Sequence, residues 1–177
     1  MAMNESHEQY AARISSYVAG KNFLQQLQKS PGRITTLLRG KRPAALTRRP
    51  SADVWSVAEI LAHLTEAEIV FAYRLRLIAS VSGTPVQAYD QNLWQANAGY
   101  LRKNPSETAK FFETLRSMNV RFIKSLPTEV LDRFGMHAER GQESIRRMLE
   151  LYAGHDENHI RQLTSIVKPG KKRGSKK

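Results

Sequence analysis

The stretch that decides the fold is SVAEILAHLTEAEIVFAYRLRLI, residues 56–78. Ser56 and Glu59 have the spacing of a capping box, in which each side chain binds a backbone amide at the start of a helix. After this cap, apolar residues recur every three or four positions: Val57, Ile60, Leu61, Leu64, Phe71, Leu75 and Ile78. This spacing predicts a long amphipathic helix with one face packed against a core.

Two later segments carry the same kind of pattern. Residues 104–107, Asn-Pro-Ser-Glu, combine a cap, a first-turn proline and an acidic residue. They are predicted to open a helix that ends near Leu126. Another helix is predicted from about Gln142 to Val167, because its apolar residues also follow the helical period.

The amino-terminal segment adds one more helix, predicted from about Glu5 into residues 25–28. Pro31 and Gly32 are expected to interrupt or kink it before the apolar face resumes. No convincing strand pattern occurs along the chain. The predicted fold class is therefore all-α, a four-helix bundle with a long connection between its second and third helices.

Composition narrows the chemistry that this bundle can perform. The 177 residues suit one domain that buries an ordinary core. The absence of cysteine excludes disulfides and thiolate ligands, and it leaves histidine and carboxylate as possible metal ligands. The sequence shows no apolar signal region and no membrane-length apolar stretch, so we expect a soluble, cytoplasmic protein.

The net charge of +12 raises the possibility of nucleic-acid binding. Much of the excess lies in residues 168–177, KPGKKRGSKK, which contain no apolar side chain and are predicted to be a disordered basic tail. The domain is therefore predicted to span residues 1–167. A solubilising tail is the more common role of such a run, so nucleic acid is expected to make at most nonspecific contact with it.

Three histidines are predicted to face the interior. His155 and His159 are four residues apart, hence about one turn apart on one helix face, within the apolar stripe of the fourth helix. His63 lies at the flank of the apolar stripe of the second helix. If these helices are neighbours, three imidazole nitrogens can bind a divalent ion and leave positions open for water or substrate. The alternative is that they are structural histidines.

The other two histidines and three further polar residues complete the candidates. His7 and His137 are predicted to be solvated. Arg74 is a candidate for binding an anionic substrate group, or for an ion pair that closes the bundle. Asp156 could orient a ligand imidazole, or it could be a buried partner for a neighbouring helix or for the Trp55 indole. Asp90 lies on the long connection, which could cover the site or simply pack over the bundle.

Two motifs, taken together, resemble the DinB-like, or YfiT-like, metalloenzymes. They are Trp55-Ser-Val-Ala-Glu-Ile-Leu-Ala-His63 and Gly154-His-Asp-Glu-Asn-His-Ile-Arg-Gln162, with Arg74 eleven residues after the first. The resemblance covers nearly the whole chain except the basic tail. It implies a bundle of up-down-down-up connectivity with a long crossover between the second and third helices. It also implies a metal site formed by His63, His155 and His159, homodimer formation, and reactions that use low-molecular-weight thiols.

The resulting functional prediction is a divalent-metal-dependent enzyme that acts on a small molecule. Zn, Ni, Fe and Mn all accept imidazole ligands, so the residues do not choose among them. Activation of water and activation of a thiol both remain open. The alternative is a noncatalytic bundle of the stress-response type that binds a metal or another ligand. Phosphate loops, nucleotide motifs and serine elbows are absent from the sequence.

Overall fold

A computed structural model describes residues 5–100 and 104–168. Its four long helices are α2 (Phe23–Leu38), α4 (Val57–Ser80), α6 (Pro105–Ser125) and α7 (Ile145–Val167). The shorter helices are α1 (His7–Ser16), α3 (Pro43–Thr47) and α5 (Gln91–Asn97), and a 3-10 helix spans Thr128–Asp132. Three short strands are β1 (Thr84–Val86), β2 (Phe134–His137) and β3 (Gly141–Ser144).

Two apolar clusters, one toward each end of the bundle, define the directions of the long helices. One cluster contains Leu27, Phe71, Val120 and Met148. The other contains Ile34, Leu61, Phe112 and Ile160. Helices α2 and α7 therefore run opposite to α4 and α6. This up-down-down-up arrangement confirms the predicted four-helix bundle, with the long crossover between α4 and α6.

The prediction that the amino-terminal helix breaks at Pro31 and Gly32 was wrong, because the break comes earlier in the chain. The chain leaves the helix at residues 17–22, where Gly20 adopts a φ of +71°, and α2 then continues through Pro31. A proline in a helix leaves the carbonyl four residues earlier without its usual donor. Here that carbonyl, of Leu27, accepts from Nη1 of Arg116 at 3.1 Å, which explains why α2 tolerates the proline.

The expectation of no strands was also wrong. Strand β2 pairs in parallel with β1, with Thr84 opposite Gly135, and antiparallel with β3, with His137 opposite Gly141. Gly141 has a φ of +71°, which suits the tight turn of this hairpin. Strands of three or four residues are too short to show a period, and the β1–β2 pairing joins segments that are distant in the sequence.

A group of polar side chains crosses the centre of the bundle. Arg116 is only 2% exposed, and its Nη2 donates to Oε2 of Glu68 at 2.8 Å. Its Nη1 donates to Asp156 and, at 2.8 Å, to the hydroxyl of Ser30. Asn119 donates to the other oxygen of Glu68 at 2.9 Å. These bonds connect α2, α4, α6 and α7 at one level, and so they fix the register of the four long helices.

Helices α1 and α7 pack closely at Gly154. A Cβ atom added there would lie 2.3 Å from the backbone oxygen of Ile14, so we expect Gly154→Ala to lower the free energy of unfolding by about 1–3 kcal/mol. Gly32→Ala is a matched control, since nothing lies within 4 Å of its added Cβ. Chemical denaturation should show the control unchanged or slightly stabilised. Equal stability of both variants would contradict the close packing.

The predicted basic tail begins at Lys168, which caps the end of α7. Residues 169–177, the rest of that prediction, lie outside the described part of the chain. Among the helices of the described residues, none combines the length and apolar character needed to cross a membrane.

Candidate metal centre

His63, His155 and His159 come together between helices α4 and α7. Nε2 of His155 lies 2.9 Å from Nε2 of His63 and 3.1 Å from Nε2 of His159. The ligand atoms of all three lie within 4.8 Å of one another. His63 and His159 are buried and His155 is half-buried. The sequence spacing produces this cluster because α7 turns residues four apart onto one face, next to the buried face of α4.

Neighbouring side chains orient the imidazole rings. Nδ1 of His159 lies 2.7 Å from Oε1 of Gln162, and donation across this contact leaves the Nε2 lone pair directed into the cluster. The ring of Trp55 contacts His63 edge-on, with centroids 5.3 Å apart. Gln162 and Trp55 both belong to the two motifs that flank the histidines. The cluster is therefore supported by side chains from the same helical segments.

The histidines are held in their neutral form, which is the form that binds metals. Burial lowers the pKa of His63 and of His155 well below the ordinary value, and the neighbouring imidazoles lower both further. Burial also lowers the pKa of His159 to about 4. A zinc–nitrogen distance of roughly 2.0–2.1 Å puts adjacent ligand atoms roughly 3 Å apart, comparable to the two Nε2 separations. The donor set thus fits a divalent ion.

A cavity of about 600 Å³ opens beside the histidine cluster. His155 forms part of its wall, together with residues from α1, α4, α7 and the segment that leads to α5. The polar residues that line it include Arg74, Tyr89, Asp90, Arg140, Glu143 and Tyr152. A small molecule in this cavity would therefore lie against His155.

Arg74 lies in the cavity wall and is 5% exposed. Its Nη2 donates to the carbonyl of Gln87, and its guanidinium lies 5.8 Å from the centre of the Tyr89 ring. Within residues 5–100 and 104–168, no carboxylate forms an ion pair with it. The bundle-closing ion pair considered from the sequence is therefore not seen in this part of the chain.

Asp156 and Asp90 have structural partners. The Asp156 carboxylate is buried against Arg116 of α6 and accepts from the Ser30 hydroxyl at 2.5 Å. It thus takes the second role considered for it, pairing with neighbouring helices. Asp90 caps α5 by accepting from the amides of Asn92 and Leu93, and it also borders the cavity.

Comparison with known proteins identifies the family. The model of the DinB superfamily matches residues 26–163, which include nearly all of the four long helices and the three histidines. The chain belongs to the DinB superfamily. The match begins after α1, although α1 forms one wall of the cavity. The cavity of this DinB protein is therefore shaped in part by a helix outside the matched region.

Two relatives come from Oceanobacillus iheyensis, and both are named "putative metal-dependent hydrolase". One is 25% identical over 115 residues, which are 64% of this chain and 66%, just under two thirds, of that protein. The other is 22% identical over 139 residues, covering 78% of this chain and 79% of that protein.

A solved structure confirms the fold. YfiT from Bacillus subtilis, described as a "probable metal-dependent hydrolase with an unusual four-helix bundle topology", superposes with a TM-score of 0.76. The alignment covers 94% of this chain and 90% of YfiT at 17% identity. At this identity the likeness supports only the bundle topology of the present chain.

The prediction that His137 is solvated was wrong. It lies on β2 and is 4% exposed, and its Nδ1 accepts from the amide of Glu139 at 3.2 Å. Its Nε2 has no hydrogen-bond partner among the described residues. The sequence suggested a loop because the strands around it are so short. His7, in contrast, is exposed as predicted.

Buried neutral histidines should make the stability of the metal-free DinB protein depend on pH. Burial, with smaller contributions from Arg140 and Arg74, lowers the pKa of His137 from 6.5 to about 4. As the pH falls below about 6.5, the unfolded chain takes up a proton that the folded chain does not. The contribution of each such histidine to the free energy of unfolding is therefore fully present above this pH. It is lost as the pH falls toward 4, by up to about 1.4 kcal/mol per pH unit.

Denaturation of chelator-treated protein at several pH values measures this effect. We expect His137→Gln to flatten the dependence between pH 6.5 and 4, because this variant lacks one of the shifted groups. His7→Gln removes an exposed histidine and should keep the full slope. Identical slopes in the two variants would show that His137 does not titrate differently in the folded and unfolded chains.

Proposed function

We propose that His63, His155 and His159 bind one divalent metal ion, and that the protein is a metal-dependent enzyme that acts on a small molecule in the adjoining cavity. The observation that carries the proposal is that three histidine Nε2 atoms converge. One of these histidines, His155, also lines the cavity. The names of the two Oceanobacillus relatives agree with it.

The ligand set narrows the metal only to ions that accept imidazole, namely Zn, Ni, Fe or Mn. Three protein ligands leave coordination positions free, as in catalytic sites rather than structural ones. An ion bound there would supply Lewis-acid chemistry, which would lower the pKa of bound water or of a bound thiol. A hydrolysis reaction agrees with the relatives' names. A reaction in which a low-molecular-weight thiol is transferred to an electrophile agrees with the family resemblance.

Neighbouring side chains hold the imidazole rings in place and form the cavity wall beside them. Gln162 fixes the ring of His159, and Trp55 packs against the ring of His63. The cavity wall next to His155 includes Tyr152, whose ring stacks on Phe71 with centroids 4.2 Å apart.

Two assays on purified, tag-free protein test this proposal. Release of nitrophenol from p-nitrophenyl acetate reports activated water, and conjugation of cysteine with chlorodinitrobenzene reports an activated thiol. We expect at least one reaction to require the metal, to stop after chelation and to be lost in His159→Ala. If both reactions run equally with and without the metal, or neither runs in protein carrying one metal ion per chain, the noncatalytic alternative is favoured.

A homodimer is proposed as the assembly. Large apolar side chains are exposed together on α4 and α5: Ile69, Tyr73, Leu93 and Trp94 are 51%, 66%, 60% and 39% exposed. Exposed apolar groups of this kind mark interaction surfaces. Light scattering should give the mass of two chains, and Tyr73→Lys should shift it toward one. A wild-type mass of 20.1 kDa at all concentrations would contradict the dimer.

A further inference from the structure

We propose that Arg74 forms an anion-binding subsite in the cavity, and that the substrate carries a carboxylate or similar monoanion at the end remote from the reacting bond. This inference rests on the proposed function for the reacting end of the substrate. The subsite itself is independent of the metal, because it is formed by a different part of the cavity.

The two guanidinium groups in the cavity wall differ in their partners. Arg140, the other guanidinium there, is bound to the Glu143 carboxylate through two bonds of 2.7 and 2.8 Å. Arg74 makes one hydrogen bond, to a neutral backbone carbonyl, and it has no carboxylate partner among the described residues. A guanidinium has five N–H donors in a planar array that matches a carboxylate. Arg74 therefore retains both charge and donors for a ligand.

None of the acidic side chains around the cavity forms a direct ion pair with Arg74 among the described residues, although the charge of Arg74 contributes, after Arg140, to the lowered pKa of Glu143. Glu143 is engaged by Arg140, and the Asp90 carboxylate accepts from two backbone amides of α5. Glu139 is exposed and lies 3.8 Å from Nδ1 of His7. A buried guanidinium without a directly bonded carboxylate is unfavourable, so an anionic ligand would gain from binding there.

Arg74 lies well along helix α4 from the histidine cluster. Arg74 and His63 are on the same helix, eleven residues apart, which corresponds to roughly 16 Å of helix length. An anion held by Arg74 is thus separate from the histidine cluster. The cavity wall also contains apolar side chains, namely Ile14, Ala67, Met148 and Leu151, and the Tyr152 ring lies 6.2 Å from that of His155. This arrangement fits a molecule with an apolar body, an anionic group at one end and the reacting bond at the other.

Calorimetric titration with phenylacetate and its uncharged counterpart phenylacetamide tests the subsite on the full chain. The titrations use zinc-loaded protein, chelator-treated protein, Arg74→Gln and Arg76→Gln. Arg76 is the matched control, because it lies on the same helix but donates to Asn119, outside the cavity. Circular dichroism and thermal unfolding establish that the variants are folded.

We expect wild-type protein to bind phenylacetate at least roughly tenfold more tightly than phenylacetamide, with or without zinc. Arg74→Gln should remove this preference, and Arg76→Gln should retain it. If Arg74→Gln does not fold, the comparison of the two ligands on wild-type protein still decides the matter. Equal affinities, or phenylacetate binding that needs zinc and ignores Arg74→Gln, would overturn the subsite.

The same titrations separate this inference from the proposed function. Failure to load zinc, together with phenylacetate binding that depends on Arg74, would leave the subsite standing and remove the metal-dependent reaction. Zinc bound by the three histidines, together with no preference for the anion, would remove the subsite and leave the metal-dependent reaction standing.

Discussion

Arg116→Ala is expected to lower the free energy of unfolding by about 3–5 kcal/mol. The substitution leaves the buried carboxylates of Glu68 and Asp156 without their shared cation, and it also removes one donor to the Leu27 carbonyl. A charge left unpaired in the interior is among the few single changes that destabilise a domain this strongly. Urea denaturation, monitored by circular dichroism, measures the loss.

Arg121→Ala is the matched control, since it removes an exposed arginine from the same helix. Its free energy of unfolding should stay within about 0.5 kcal/mol of wild type. A small effect of Arg116→Ala, similar to that of Arg121→Ala, would mean that the central ion pairs contribute little to the stability of the bundle.

His155→Ala is expected to abolish stoichiometric metal binding. His155 is the central member of the cluster, because its Nε2 lies within 3.1 Å of the Nε2 atoms of both other histidines. Wild-type protein should gain about 2.7 kcal/mol of stability when free zinc reaches a hundred times its dissociation constant. The variant should gain none, since two imidazoles on different helices bind a metal weakly.

Elemental analysis of tag-free protein and thermal unfolding with added zinc measure this difference. His7→Ala is the control, because it removes an exposed histidine and should bind and respond as wild type. A full equivalent of metal in His155→Ala, with an undiminished gain in stability, would be incompatible with a site built on His155.

The long helices and the histidine cluster were predictable from sequence because both depend on local periodicity. The capping box at Ser56 and Glu59 forms as expected, with the Ser56 hydroxyl accepting from the Glu59 amide at 3.3 Å. The four-residue spacing of His155 and His159 fixes their common face on any helix. The proximity of His63 to this pair also requires its helix to lie next to theirs. The expectation that these two helices are neighbours came from the family resemblance.

The features that sequence did not reveal depend on contacts between distant segments. His137 is buried because β2 pairs with both β1 and β3, and no local pattern in so short a strand indicates this. At Pro31 the helix is uninterrupted, and the Leu27 carbonyl accepts instead from Arg116, 85 residues after the proline in sequence, with the Ser30 hydroxyl also 3.1 Å away. The cavity likewise depends on α1, whose packing on α7 requires the absence of a side chain at Gly154.

Anomalous diffraction from crystals of tag-free protein, at the absorption edge of the metal found by elemental analysis, tests the metal assignment most directly. We expect one peak at roughly 2.0–2.2 Å from the Nε2 atoms of His63, His155 and His159. A metal peak elsewhere on the chain, with the three imidazoles bonded only to one another, would contradict the proposed metal centre.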